Sequence, residues 1–249
     1  MSLLTIAQNV ADFTGFERPS TVVGNTDPIA RQLFAFINRE GKQLMRSNNW
    51  PVLLKEHTFN TVNGTQSYDL PTDYDRSVGS TMYNRTDLDQ MVGPITPQQF
   101  QQDRYGTASA GITQKFRFKP SSNVLKFDIT PTPTSAESIG FEYVSSHWNQ
   151  SSGGTSQAAM AADTDVGILD ETLIEMGVTW RFKQNHGLTY DEDFRQYQLE
   201  LRQAISRAGG APVISLDDAR RLLVSPYSYN LPDSCLLYTS PSPRDGLLS

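Results

Sequence analysis

One long amphipathic helix constrains the fold of this chain more than any other feature of the sequence. The stretch from Asn25 to Pro51 predicts a helix that Asp27 caps, that carries Pro28 at its first position and that ends before Pro51. Its apolar residues recur at spacings of three, four and seven: Ile29, Leu33, Phe36, Ile37 and Leu44. Its basic residues fall mainly on other sides of the helix: Arg31, Arg39, Lys42 and Arg46. A helix with one apolar face must bury that face against a partner.

The partner helices come from far along the chain, because helical periodicity returns only near Asp170. One helix is predicted up to His186, before Gly187, and a second from Tyr190 to Ala208. A short amphipathic segment that begins at Leu3 predicts another helix. We therefore expect residues 1–50 and 166–210 to form one helical bundle, whose packing residues are Leu33, Phe36, Ile37, Leu173, Met176, Trp180, Phe194, Tyr197 and Leu201.

Residues 51–148 between these helices predict an inserted antiparallel β domain. An Asn63-Gly64 pair between alternating residues indicates a two-residue hairpin turn, which would place Phe59 opposite Tyr68. A second hairpin, with its turn at Pro120 to Asn123, would align Phe118 with Leu125 and Phe116 with Phe127. Further strands are predicted at 77–83 and 138–145, and a short helix begins at Pro97.

The predicted fold class is therefore α+β: a helical bundle with an inserted antiparallel β-sandwich or a partly open barrel. Residues 149–165 are rich in Ser, Gly, Ala and Thr and lack an apolar period, so we expect a flexible loop there. At 249 residues the chain allows one compact unit or two sub-domains.

Composition excludes several classes of protein. No apolar run approaches the roughly 20 residues that span a bilayer, and the N-terminal residues lack a basic region before the apolar ones, so neither membrane insertion nor secretion is expected. The net charge of −6 argues against a nucleic-acid-binding protein, which normally presents a basic patch to phosphates.

The C-terminal residues divide into two segments. Residues 211–234 predict a tail that leaves the bundle and orders on a binding partner, with the candidate contacts Arg220, Arg221, Leu222, Leu223, Tyr227 and Tyr229. The stretch from Cys235 to Ser249 resembles the translation of a transposase-type sequencing adaptor, and we interpret it as read-through. Without Cys235 the chain has no cysteine, which removes disulfides, thiol catalysis and cysteine-ligated metals.

No motif predicts a catalytic residue, a cofactor or a metal ion. His57, His147 and His186 are scattered singly, without the spacing of a metal site. There is no Gly-x-Ser-x-Gly elbow and no phosphate-binding glycine loop. The paired carboxylates at 73/75, 87/89 and 163/165 are compatible with the acid pair of a glycosidase. Two carboxylates that converge in a cleft with aromatic walls would identify such a site.

Several sequence segments, taken in order along the chain, resemble those of a known family: NTDPIARQLFAFINREGKQLMRSNNWPVLLKEHTF, YDLPTDYDRSVGSTMYNR, GPITPQQF, FEYVSSHW and DTDVGILDETLIEMGVTWRFKQNHGLTYDEDF. They resemble the head-to-tail adaptors, or connectors, of tailed bacteriophages, and are similar to the tail-tubular type. The resemblance covers about Leu3 to Ala208 and supplies no catalytic residues.

The resemblance implies a structural virion protein rather than an enzyme. It would form a homo-oligomeric ring of twelve copies below the portal protein, bind a downstream tail or nozzle protein, and extend a channel through which DNA passes without specific binding. It would lie at the head–tail junction after assembly in the host cytoplasm, away from any membrane. The alternative is a phage tail-associated cell-wall glycan hydrolase or carbohydrate-binding component.

Overall fold

The computed structural model describes residues 1–105, 113–121 and 124–209. Its long helix, α2, spans Pro28–Ser47. The Asp27 side chain accepts a hydrogen bond from the backbone N–H of Ala30, and Pro28 occupies the first turn. The predicted helix and its N-cap are therefore confirmed.

Three more helices complete a helical body around α2. They are α1 (Leu3–Thr14), α4 (Glu171–Asn185) and α5 (Asp191–Ala208). Gly15 ends α1 in the left-handed conformation at φ 75°, which a residue without a Cβ adopts readily. Helix α4 contacts all the others, and the core of the body is made by fully buried side chains such as Leu3, Ile6, Leu33, Ile37, Ile174, Val178 and Phe182.

Residues 51–148 contain two antiparallel sheets. In the larger sheet, β8 (Ser138–Ser145) pairs with β1 (Leu54–Asn60) on one side. On its other side β8 pairs with β3 (Tyr74–Ser77) and β4 (Tyr83–Asn84), and β4 pairs with β5 (Asp89–Gln90). A short 3-10 helix, Pro51–Leu53, leads from α2 into β1.

The second sheet contains β2 (Ser67–Asp69), β7 (Val124–Thr130) and β6 (Lys115–Ser121), in that order. Aromatic and aliphatic side chains from both sheets pack face to face: Phe116, Phe127 and Ile129 against Ile139, Phe141 and Tyr143. Helix α3 (Pro97–Tyr105) adds Phe100, over which the Arg117 guanidinium lies at 3.4 Å. The fold is α+β as predicted, and the two described sheets form an open sandwich rather than a closed barrel.

The first predicted hairpin is wrong. A turn does form, since the Thr65 N–H donates to the Val62 carbonyl and Gly64 has φ 76°. However, β1 pairs with β8 and β2 pairs with β7, so the strands on either side of the turn belong to different sheets. The rings of Phe59 and Tyr68 still meet, with centroids 4.9 Å apart, because they face each other across the sandwich.

The second predicted hairpin exists in a different register. Phe118 pairs with Phe127 and Phe116 with Ile129, two positions from the predicted partners. The paired strands continue to Ser121 and Val124, so Pro120 and Ser121 lie in β6, where the turn is predicted to begin. A shift of two residues keeps every side chain on the predicted face, because side chains alternate along a strand with a period of two.

Two other expectations differ from the structure. The strand predicted at 77–83 is replaced by β3 and β4, with no strand assigned at residues 78–82. The segment 149–165, where a flexible loop is expected, contains two short strands, β9 (Asn149–Gln150) and β10 (Ser156–Gln157), which form a small sheet with β11 (Val166–Gly167). Polar side chains such as Asn149 are buried there and donate to the backbone, and this pattern has no hydrophobic signature.

Candidate functional site

Trp148 joins the sandwich to the helical body. It follows β8, is fully buried, and donates its indole Nε1–H to the Ala158 carbonyl at 2.8 Å. The indole ring occupies the space beside Gly41 in the middle of α2, where any Cβ would overlap it. The glycine therefore serves a close helix–ring contact instead of a turn.

Arg76 makes a second connection at the end of α2. From β3, its Nη2 donates to the carbonyls of Asn48 at 2.7 Å and Met45 at 3.2 Å, and its Nε donates to the Asn49 side chain at 2.9 Å. These carbonyls have lost their helical partners, and a cation at a helix C-terminus is also favoured by the helix dipole. The sheet thus caps the helix, and the two parts of the molecule are held at two points.

A charged network is buried inside the helical body. Glu40 of α2 is fully buried and forms an ion pair with Arg181 of α4, and it accepts a hydrogen bond from the Tyr197 hydroxyl of α5. Arg181 also donates to the side chain of Gln43 at 2.7 Å. Gly177 leaves the room that the Glu40 carboxyl occupies.

Burial lowers the pKa of the Arg181 guanidinium and raises the pKa of the Tyr197 hydroxyl. Each group would be unfavourable in this core without its partners, since an unpaired buried charge is strongly destabilising. The network therefore fixes the alignment of three helices along their axes, which apolar packing alone specifies less sharply.

A second polar cluster lies in the larger sheet, just before β3. The Asp73 carboxylate accepts hydrogen bonds from Lys55 at 2.6 Å, Ser145 at 2.7 Å and Tyr143 at 2.9 Å. Burial by itself would raise the pKa of this carboxyl, but the three hydrogen bonds, that from Lys55 foremost, lower it to about 2. The cluster resembles a structural anchor, because the carboxylate is fully occupied by donors.

Two carboxylates of the sandwich lie close to each other. Asp87 and Glu137 both accept from the Nδ2 of the buried Asn84, at 3.0 and 2.8 Å. Gln114 completes this group by donating to Glu137, so its neighbours are amides and no aromatic side chain contributes. The aromatic-walled cleft that a glycosidase reading requires is not found at this pair.

The three histidines lie apart from one another. His57 stacks on Phe59, and burial lowers the pKa of its imidazole. His147 makes a hydrogen bond with Ser156, and His186, after α4, makes one with Gln32. Within residues 1–105, 113–121 and 124–209, no three His, Cys, Asp or Glu side chains are arranged to hold a metal ion.

The predicted bundle residues occupy different depths. Leu33, Ile37, Leu173 and Tyr197 are buried, whereas Phe36, Met176, Trp180, Phe194 and Leu201 are half-buried. Trp180 contacts the rings of Tyr190, Phe194 and Tyr197 on α5, so its part of the α4 stripe faces α5 rather than the long helix. The predicted docking residues, Arg220 to Tyr229, and the segment from Cys235 to Ser249 lie outside the described residues.

Two of the grooves on the surface of the helical body have apolar side chains in their walls. One lies between α1, α4 and α5 and includes Phe13, which is 65% exposed, beside Met176 and Asp193. The other lies among the C-terminal ends of α2 and α5 and the N-terminal end of α4, and is lined by apolar side chains including Trp50, Leu173 and Ala204. No helix of the described chain has the length and hydrophobicity needed to cross a membrane.

A family comparison decides what these features belong to. The family model described as SU10 adaptor protein matches residues 1–228. The chain belongs to the SU10 adaptor protein family. No curated protein matches the chain.

SU10 adaptors are head-to-tail adaptors of tailed bacteriophages, so this adaptor is a structural protein of the virion. Its role is at the head–tail junction, where it associates with portal and tail proteins. Sequence reasoning found the family and the main helices. It missed the Glu40 network and the Trp148 contact, whose only signals were a Glu on a mainly apolar face and a glycine in the middle of a helix.

Proposed function

We propose that this adaptor forms a ring of twelve copies below the portal and extends the DNA channel to a downstream tail protein. We further propose that the subunit is made in the host cytoplasm and joins the head during assembly. The family supports the location, and the two connections between sandwich and helical body support the ring.

The observation that carries the ring proposal is the Trp148–Gly41 contact, reinforced by Arg76. A closed ring needs each copy to present the same two faces at a constant angle. A hinged subunit would meet its neighbours at variable angles. A sandwich held to the body by a buried tryptophan and by a capped helix end gives the constant angle that closure requires.

The docking role of residues 211–234, with Arg220, Arg221, Leu222, Leu223, Tyr227 and Tyr229, stays part of this proposal. A segment of that composition cannot build a core of its own, and it would order on the portal or on a neighbouring copy. The matched family region reaches residue 228, so it includes most of this segment.

The test is light scattering and electron microscopy of the purified adaptor with and without rings of its portal protein. We expect a monomer at micromolar concentration that assembles into rings on the portal. A variant that ends after Gly210 should keep its melting temperature and dock more weakly. Equal docking by both proteins contradicts the tail role, and no docking by either contradicts the adaptor ring.

A further inference from the structure

The exposed side of α2 carries four cations, with the exposed Ala35 between the first and the second. Arg31, Arg39, Lys42 and Arg46 are all exposed, and at 3.6 residues per turn they lie within an arc of about 80°. From Arg31 to Arg46 the set extends about 22 Å along the helix. We name these four residues the α2 basic face.

None of these four side chains forms an ion pair with a carboxylate of the described chain, although most other cations do. The only acid within α2 is Glu40, which is buried and paired with Arg181. Beside the face, Asn38 is bonded to the backbone of Met160, and Gln43 accepts from Arg181. These neighbours therefore contribute no negative charge beside Arg39, Lys42 and Arg46, and Asp27, one turn before Arg31, serves as the cap of the helix.

Such an arrangement is unfavourable in the isolated subunit. Arg39, Lys42 and Arg46 are spaced at i+3 and i+4, where like charges on a helix repel. An acidic protein that concentrates cations on one helix face presents a surface suited to an anionic partner, despite its overall charge of −6.

On a second copy of the chain, the exposed carboxylates outside the ion pairs lie on separate elements, as at Glu17, Glu142 and Glu200. The densest acidic group, at the start of α5, is largely neutralised within its own subunit: Glu192 pairs with Arg195, and Asp193 with Lys183. A partner with its own dense negative charge matches the α2 basic face better than such scattered carboxylates do. Duplex DNA carries about one charge per 1.7 Å of axis, so 22 Å of duplex presents about thirteen.

We propose that the α2 basic face contacts the phosphate backbone of duplex DNA. The inference rests on the proposed function, in which DNA passes through the ring, and it adds the surface that faces the DNA. Contacts to phosphates alone do not read sequence. The contact is salt-dependent and non-specific, and this allows DNA to move through the channel while remaining centred.

The test measures fluorescence anisotropy of a labelled 30-base-pair duplex of arbitrary sequence with the full-length protein, alone and assembled on portal rings, between 50 and 200 mM NaCl. The variant carries Arg39→Gln, Lys42→Gln and Arg46→Gln. The matched control carries Lys119→Gln, Arg202→Gln and Arg207→Gln, three exposed cations that also form no ion pair with a described carboxylate. Circular dichroism verifies that both variants fold.

We expect the wild type to bind with an affinity that falls as salt rises. The α2 variant should bind at least tenfold more weakly at 50 mM NaCl, and its log–log salt slope should be smaller by about 2.7, which corresponds to three phosphate contacts. The control should bind nearly as the wild type does.

Three outcomes would overturn the inference: no binding by the wild type, equal losses in both variants, or an α2 variant that binds DNA normally but no longer forms rings. The last outcome would make the face a contact between subunits. Electron microscopy of the same samples separates this inference from the proposed function. Wild-type rings that do not bind DNA contradict only the α2 contact, whereas the absence of rings from the wild type contradicts the proposed function itself.

Discussion

At the scale of single residues, Glu40 connects three helices from inside the body. Its carboxylate forms an ion pair with Arg181 and accepts a hydrogen bond from Tyr197, and Gly177 has no Cβ to overlap it. Removing a partner from a buried ion pair costs more than the pair contributes, because the remaining charge stays buried without compensation. The network is therefore more important for the alignment of the helices than for total stability.

We predict that Glu40→Ala lowers the free energy of unfolding by about 3 to 5 kcal/mol, because it leaves the Arg181 guanidinium buried and unpaired. Tyr197→Phe removes only a hydroxyl and should cost about 1.5 to 3 kcal/mol, as expected for a hydrogen bond to a charged group. Urea unfolding followed by circular dichroism measures both. A smaller loss in Glu40→Ala than in Tyr197→Phe would show that Arg181 finds another partner.

Asp73 gives a pH-dependent prediction. Its pKa in the folded protein is lowered from 3.8 to about 2, so its ionised form stabilises the fold above pH 4. This contribution is lost as the pH falls from about 4 to 2. The difference in unfolding free energy between wild type and Asp73→Asn should be largest above pH 5 and should shrink over that range. Asp69→Asn, at a carboxyl whose side chain is 76% exposed, is the control and should show little change.

At the scale of elements, α4 occupies the centre of the helical body. It contacts α1, α2 and α5, and residues on several sides of it are buried. A helix surrounded by partners loses the one-sided pattern of a surface helix. Trp180 consequently packs on α5, while Ile174, Val178 and Phe182 are the fully buried residues.

The contact between α2 and Trp148 reverses an ordinary substitution effect. Replacing a glycine inside a helix with alanine normally stabilises it by about 0.5 to 1 kcal/mol. We predict that Gly41→Ala instead destabilises the protein by about 1 to 3 kcal/mol, because the new methyl group overlaps the indole ring. Thermal unfolding and the near-ultraviolet signal of tryptophan measure the effect.

Gly79→Ala is the matched control for this contact, since no heavy atom lies within 4 Å of a Cβ built there. Its melting temperature should stay close to that of the wild type. A higher melting temperature for Gly41→Ala would mean that the indole ring moves aside at little cost and that the two parts are joined mainly by Arg76.

At the scale of the whole molecule, electrostatic repulsion opposes assembly. Twelve copies with a net charge of −6 bring together roughly seventy negative charges, whose repulsion weakens as salt shortens the screening length. In the absence of portal, we predict more oligomer at 500 mM than at 20 mM NaCl, as measured by light scattering. More oligomer at the lower salt concentration would indicate that pairs of opposite charge hold the subunits together.

Deletion of Cys235 to Ser249 should leave melting temperature and assembly unchanged, because the segment resembles sequencing-adaptor translation and lies beyond the family match at residue 228. Thermal unfolding and electron microscopy with portal test this. Independent cloning of the locus should also give a different continuation after about Ser234. Recovery of CLLYTSPSPRD from such a clone would contradict the interpretation.

The sequence alone determined the features that depend on neighbours within a few residues. Asp27, Pro28 and the apolar spacing specify α2, because caps and periodicity act within single helical turns. The bounds of β8 and the faces of the second hairpin also followed from local alternation. The order of the characteristic sequence segments along the chain was sufficient to find the family, because recognising a family by its sequence requires no three-dimensional information.

Tertiary structure alone decided which segments meet. The turn at Asn63-Gly64 formed, but long-range pairing placed β1 beside β8 and β2 beside β7, and a local turn signal does not encode such partners. The partner of Glu40 lies 141 positions away at Arg181, and the neighbour of Gly41 lies 107 positions away at Trp148. The absence of ion pairs on the α2 basic face is likewise visible only in three dimensions. The sequence does not show which carboxylates of the described chain pair with other cations.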